Sequence, residues 1–477
     1  MGVSAEHMIF PLPRPQYVAV PEALTTALAW RELIAPLPGD PSDAHGGERT
    51  PAVLFRKGDR KDSKTLTYLE SDPSSNEARL RLLASALDEN GVVSEEHQDL
   101  LARSLMSSLA GVRAEKGSSQ AAVPITPALA LMQDMRGLQG AKNPPDVGLI
   151  LERMFALDCS TSNIGPTVAG LWHSAVKHRL SLDPLASAID SSVAKGVHND
   201  RVEVRDKVDT VLPEWWHGRL PDTPFAWFRE TWLRLTDDAW VEALPARVWV
   251  DWASTVLRLA LGLGYLWEAA WYATVARHVL RGEAATFDEV RGAVPSSLPW
   301  KSTQADMSLR DLAAPVGWRV RRSQQLRSLL SAWIDENGAA SEDFASTILS
   351  MSRDEDLSLA LEEALGSRVR ANENLWEAVK YALKTRDTSG PYADHYGLLR
   401  SRGRYLWVDP GTEWTAVVAS LCCGKPDTTV DLAAVLRALG QLGLHPELAD
   451  VVALLERAGL ARGSADADQG VVVQSAF

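Results

Sequence analysis

The segment from Val248 to Leu280 constrains this chain most, because a helix of that length needs either a membrane or a large core to receive it. Four charges, Asp251, Arg258, Glu268 and Arg277, interrupt it. Its longest uncharged stretch falls far short of the ~20 residues that a spanning helix requires. On a helical wheel the four charges share one half, while Trp249, Val256, Leu263 and Trp267 line the other. The pattern predicts a long amphipathic helix buried on one side in a soluble core.

Almost every other periodic segment also has the helical period. Strand-like alternation is confined to short stretches such as Thr65–Leu69, Tyr405–Val408 and Val471–Val473. The expected fold class is therefore mainly α: a multi-domain helical protein with helix–turn–helix corners and a C-terminal module carrying short strands. Segments 36–63, 114–127, 158–166 and 281–308 are rich in Gly, Pro, Ser or Asp and read as linkers. They divide the chain into a mixed N-terminal region (1–115), a Trp-rich helical core (116–315), a further helical unit (316–395) and a C-terminal module (396–477). Asp88-Glu89-Asn90-Gly91 is echoed by Asp335-Glu336-Asn337-Gly338, each followed, after two intervening residues, by Ser94 or Ser341. Each copy predicts a helix, a glycine C-cap, two residues and a serine N-cap. Convergent capping and a duplicated helical corner both account for the echo.

Nine of the 17 tryptophans fall between Trp215 and Trp271. Trp buries a large area, so a helical core explains them; a partner-binding groove is the alternative. The net charge of −13 excludes a protein that coats nucleic acid by bulk charge. Three cysteines without a two-residue gap exclude a disulfide scaffold or a zinc ribbon, and a reducing, cytoplasmic setting is expected.

Motifs that carry chemistry are missing. His173 and His178 are five apart, which places them on different sides of a helix. Gly424-Lys425 resembles the end of a phosphate loop, but Ala419 replaces the leading glycine and Pro426 the metal-binding hydroxyl. No Gly-x-Ser-x-Gly elbow, nuclease acid pattern or deaminase motif is present. No catalytic residue, cofactor or metal is predicted. An enzyme whose site is dispersed over several helices is one remaining class.

Two basic clusters stand out. Between 310 and 327 there are five Arg and one acid, centred on Arg319, Arg321 and Arg322. The second comprises Arg400, Arg402 and Arg404, flanked by Tyr396 and Tyr405. Arginine forks beside aromatic rings suit phosphate contact and base stacking, and equally suit an acidic partner protein.

In the last seventy or so residues, strand Tyr405–Val408 precedes three helical patterns. Trp414, Val417, Val418 and Leu421 mark the first. Thr429 is the expected cap of the second, with Leu432, Val435, Leu436 and Leu439. Pro446 opens the third, with Leu448, Val451, Val452 and Leu455. Leu460–Arg462 and Val471–Phe477 read as two strands of a wing. This order resembles the winged-helix domain. The resemblance implies DNA reading by the third helix and the wing. The exposed positions of that helix are nevertheless Glu447, Asp450, Glu456 and Arg457, and residues 405–477 hold nine acids and four bases. That balance favours protein partners over phosphate.

The stretch from Arg402-Gly403-Arg404-Tyr405-Leu406-Trp407-Val408-Asp409-Pro410 through Leu454-Leu455-Glu456-Arg457-Ala458-Gly459-Leu460-Ala461-Arg462 resembles the C-terminal end of DpdG-type proteins. Those are accessory subunits of bacterial clusters that install or act on 7-deazaguanine in DNA. The resemblance implies a non-catalytic component of a DNA-modification or antiviral restriction complex. The expected function is accordingly a non-enzymatic scaffold bridging other proteins, with direct nucleic-acid binding through the Arg clusters as the alternative and no membrane partner.

Overall fold

The computed structural model describes residues 3–15, 21–34, 77–92, 97–113, 120–131, 147–157, 166–194, 218–300, 313–367, 373–385, 393–402, 405–463 and 470–477. The fold is mainly α, with a few short antiparallel strands. Helices α1 (Glu22–Ile34), α2 (Glu77–Glu89) and α3 (Gln98–Ser108) lead to a small hairpin, β1 (Ala110–Arg113) with β2 (Gln120–Ala122). Next come α4 (Pro127–Leu131), α5 (Val147–Ala156), α6 (Val168–Leu182), α7 (Pro184–Ala194), α8 (Pro224–Leu235) and α9 (Asp238–Ala243). The long helix α10 spans Ala246–Arg281. After it run α11 (Phe287–Gly292), α12 (Ala313–Glu336), α13 (Phe344–Ser352), α14 (Glu355–Gly366) and α15 (Glu373–Leu383).

Helix α10 is the axis of the molecule, and here the expectation of one buried side fails. Every residue from Trp252 to Ala276 is buried, on all faces of the helix. Helices α1, α5 and α8, together with α11 through α15, pack around it. Its polar residues therefore need internal partners. Arg258 finds Asp394, and Glu268 lies among Tyr272, Arg327 and Arg14. A wheel cannot show this, because it records where charges sit and not what faces them. Gly282, at φ 68°, ends the helix in the left-handed conformation.

The seven described tryptophans between residues 227 and 271 are all buried, which makes them core. Trp172 stacks on Trp249 at 4.3 Å between ring centroids, and Trp267 on Trp271 at 5.8 Å. Trp232 and Trp249 donate their indole N–H groups to the Val168 and Leu235 carbonyls, so these buried rings keep their polar atom paired, and Trp249 also satisfies the C-terminal end of α8.

The two echoed corners share a geometry. Gly91 and Gly338 have φ of 65° and 64°, and Asn90 and Asn337 donate to carbonyls four residues upstream, those of Ala86 and Trp333. The predicted serine cap differs: Ser341 lies in a short 3-10 turn, and Asp343 caps α13 by accepting from the Ser346 amide. Ser94 lies outside the described residues, as does the Thr65–Leu69 strand. Within 281–308, expected to be a linker, α11 forms under a capping box between Thr286 and Glu289.

At the C-terminal end, β3 (Leu399–Arg402) and β4 (Tyr405–Val408) form a separate ribbon. Then follow α16 (Thr412–Cys422), β5 (Thr429–Asp431), α17 (Leu432–Gln441), α18 (Leu448–Arg457), β6 (Ala461–Gly463) and β7 (Val471–Gln474). The sheet order is β5-β7-β6, all antiparallel. Two expectations change. Thr429 begins a strand, and the cap of α17 is Asp431, which accepts from the Ala434 amide at 2.9 Å. Strand 405–408 pairs with β3 and stays out of the module's sheet. The module is anchored to the helical core: Arg234 donates to the Leu421 carbonyl, Trp240 to that of Gly424, and Phe477 packs edge-on against Trp252. One apolar core runs from Ala5 to Val473. Among the described residues no helix is long and apolar enough to cross a membrane.

Candidate functional site

The β3–β4 ribbon gathers the most chemically distinctive exposed face. Its register pairs Leu399 with Val408, Arg400 with Trp407, Ser401 with Leu406 and Arg402 with Tyr405. Side chains alternate across a strand, and directly paired residues share a face. Leu399, Leu406 and Val408 are buried, so Ser401 and these three define the core side. Arg400, Arg402, Tyr405 and Trp407 are thereby left on the opposite side, where Arg402 is exposed and Tyr405 is 44% exposed.

The base of the ribbon is fixed by α10 and α15. Leu398 donates its amide to the Leu383 carbonyl, and Thr385 donates to that of Leu399. The chain passes so close to Thr385 at Gly397 that any side chain there would run into its backbone. Beneath, Arg258 donates to the Ala382 and Lys384 carbonyls and to both oxygens of Asp394. Arg400 is partly held, donating to the Asp409 carbonyl at 3.3 Å, while the Trp407 indole donates to the Asp409 carboxylate at 3.4 Å. Two guanidinium groups and two flat rings on one stiff ribbon can pair with phosphates or carboxylates and stack against planar groups.

Of the residues predicted from sequence, the ribbon brings together Arg400, Arg402 and Tyr405; Arg404 lies outside the described residues. Tyr396 is not on this face. It is half-buried at the ribbon's base, where burial and the nearby Asp251 and Glu413 raise its phenol above the usual range. Trp407 was not singled out as a site residue, although its alternation with Tyr405 is readable in the sequence.

No protein-family model matches this chain, and no curated protein matches it.

The other cluster is turned inward. Arg319, on α12, donates to the Ser296 and Ser297 carbonyls. Burial, then the neighbouring charges of Arg277 and Arg322, lower its guanidinium to about 10. Arg322 donates to the Trp318 carbonyl and to that of Leu365, in the last turn of α14. The Arg321 guanidinium lies 5.8 Å from the Trp376 ring centroid. These side chains tie loops and helix ends to α12, a use of arginine that sequence cannot distinguish from a solvent-facing patch.

The third candidate surface is α18. Val451, Leu454 and Leu455 face the core, whereas Glu447, Leu448, Ala449, Ala453, Glu456 and Arg457 are exposed. Leu448, expected to face inward with Val451 and Leu455, is instead 56% exposed, because at the first position of the helix it lies beyond the edge of the core that those two residues reach. Among the described residues no group of three or more His, Cys, Asp or Glu could hold a metal. His178 instead meets Glu242 at 2.8 Å.

Proposed function

We propose that this chain is a non-enzymatic scaffold or adaptor subunit of a multi-protein bacterial complex, with a winged-helix module as its docking unit. The observation that carries this reading is the α18 surface. A helix that read DNA in this position needs Arg, Lys, Asn or Gln on its outer face. This one offers Leu448, Ala449 and Ala453 between Glu447 at one end and Glu456 and Arg457 at the other. A small apolar strip with one base against two acids at its rim suits a protein surface better than phosphate. The likeness to DpdG-type accessory subunits supports a setting in DNA modification or antiviral restriction.

Co-purification from the native host at low salt tests the reading. A neighbour-encoded protein should co-elute, and Leu448→Lys should release it without altering the thermal midpoint. A chain that elutes alone, or a partner indifferent to Leu448→Lys, would sink the proposal.

The ribbon face favours a second reading, direct nucleic-acid binding. Its sign is affinity for single-stranded or duplex DNA that falls steeply with salt and is lost in an Arg400→Ala, Arg402→Ala, Arg404→Ala variant.

A further inference from the structure

Residues 3–15 lie against the core: Ala5–Met8 form a short 3-10 turn, the Ala5 amide donates to the Glu342 carbonyl and the Phe344 amide to that of Val3, and Ser4 bridges Asp343. From Met8 onward most of the carbonyls are satisfied in another way. The Trp271 indole donates to the Met8 carbonyl at 2.9 Å, Arg153 to that of Pro11 at 2.8 Å, Arg327 to that of Leu12 at 2.8 Å, and the Tyr265 hydroxyl to that of Pro13. The Phe10 amide donates to the Tyr272 hydroxyl at 2.9 Å. Four carbonyls between Met8 and Pro13, the last three of them consecutive, are thus met by side chains of three helices, α5, α10 and α12. Pro11, Pro13 and Pro15 have no amide hydrogen to satisfy.

Side-chain burial alternates along the segment. Met8, Phe10 and Leu12 are almost fully buried, while Ile9, Pro11 and Pro13 are half-buried. Phe10 is the anchor. Its ring lies 5.5 Å from that of Trp267, 5.8 Å from Trp271, 5.9 Å from Phe225 and 6.4 Å from Tyr272, centroid to centroid. An aromatic cage with Tyr and Trp donors aimed at the carbonyls of a stiff, proline-spaced strand is how proteins bind extended peptides in trans.

We infer that this groove is a peptide-binding site whose ligand class is an extended Pro-x-Pro segment with an aromatic residue just ahead of the first proline, and that residues 3–15 occupy it as an exchangeable internal ligand. The proline spacing keeps the ligand extended before it binds, so little freedom is lost on docking. Recognition of carbonyls by side chains requires no continuous strand pairing, so the segment can leave without opening the core helices' own hydrogen bonds.

The test uses the full chain with a protease recognition sequence inserted between Tyr17 and Val18. The folded protein is cut, the released segment is removed by gel filtration in mild urea, and the remainder is returned to buffer. A fluorescein-labelled peptide of residues 3–15 is then titrated by anisotropy, with circular dichroism as the check on fold. The expected result is saturable binding, competed by unlabelled peptide and absent in the uncut protein. A peptide carrying Phe10→Ala should bind at least tenfold more weakly, and one carrying Pro11→Gly and Pro13→Gly severalfold more weakly. The inference is overturned by a cut chain that loses its helical signal when parted from the segment, by one that cannot be parted from it, or by one that stays folded and takes no peptide.

Discussion

Arg258 and Asp394 form a two-pronged ion pair in the interior, with Nη1–Oδ1 at 2.9 Å, Nη2–Oδ2 at 3.0 Å, and side chains only 4% and 2% exposed. The same guanidinium donates to the Ala382 and Lys384 carbonyls, so its hydrogen-bonding groups are used against both a carboxylate and the end of α15. Charges this deep are tolerated only when paired and hydrogen-bonded throughout.

Removing one partner strands the other. Asp394→Ala is expected to cost about 3–5 kcal/mol, seen as a lower urea midpoint at unchanged slope. It should also loosen the β3–β4 ribbon, whose base hangs on this pair. Hydrogen exchange of the Leu398 and Thr385 amides would register that. A variant with wild-type midpoint and exchange would contradict the role assigned here.

Gly262 lies where α10 packs against Leu383 of α15. A methyl group there would stand 2.5 Å from Leu383 Cγ. Gly262→Ala, normally favourable in a helix, should therefore destabilise by about 1–3 kcal/mol through overpacking. Leu383→Ala should cost stability alone yet offset part of the loss when combined with it. The double-mutant cycle reads the coupling, and strict additivity would remove the steric explanation.

Glu268 supplies a pH dependence. Burial raises its carboxyl to about 7, against the opposing pull of Arg327, the Tyr272 hydroxyl and Arg14. The folded chain thus keeps a proton that the unfolded chain releases near pH 4.5. Stability from this group is full below about pH 4.5, is lost as pH rises to about 7, and is flat above that. The total is on the order of a few kcal/mol. Glu268→Gln should remove the decline between those limits, measured by denaturation from pH 4.5 to 8. An identical slope in the variant would assign the effect to another group.

The adjacent thiols should be inert. Burial pushes Cys422 up to about 12 and Cys423 up to about 11, and their sulfurs lie against backbone carbonyls of α16 and β7. In a Cys159→Ser background, Ellman's reagent at pH 8 should modify neither within minutes in the native state and both after denaturation. Fast labelling of Cys423 in the native chain would refute the packing of α16 on β7.

Much of this fold was readable locally. Helical period placed α10, α16, α17 and α18, and the two glycine corners were visible at Gly91 and Gly338. The ribbon face was half visible, since Arg400, Arg402 and Tyr405 stood out as a local cluster of arginines beside a tyrosine. Its membership changed when pairing with β3 put Trp407 on the face and moved Tyr396 to the base. Strand β5 was missed because three residues next to a helix start carry no period of their own. The groove under residues 3–15 left no local trace beyond prolines, because its donors come from positions up to about three hundred residues away.

By itself, the sequence determined where the long helices run, the glycine corners that end two of them, and that a tryptophan-rich set of helices would be buried; these follow from short-range periodicity and backbone sterics. Only the tertiary structure decided which charges are partners. Arg258 and Arg319 turn inward, Arg402 stays in solvent, and Glu268 is held near neutrality. A charged side chain is stabilised or penalised by whatever lies within a few ångströms, and those neighbours are set by packing, not by position along the chain.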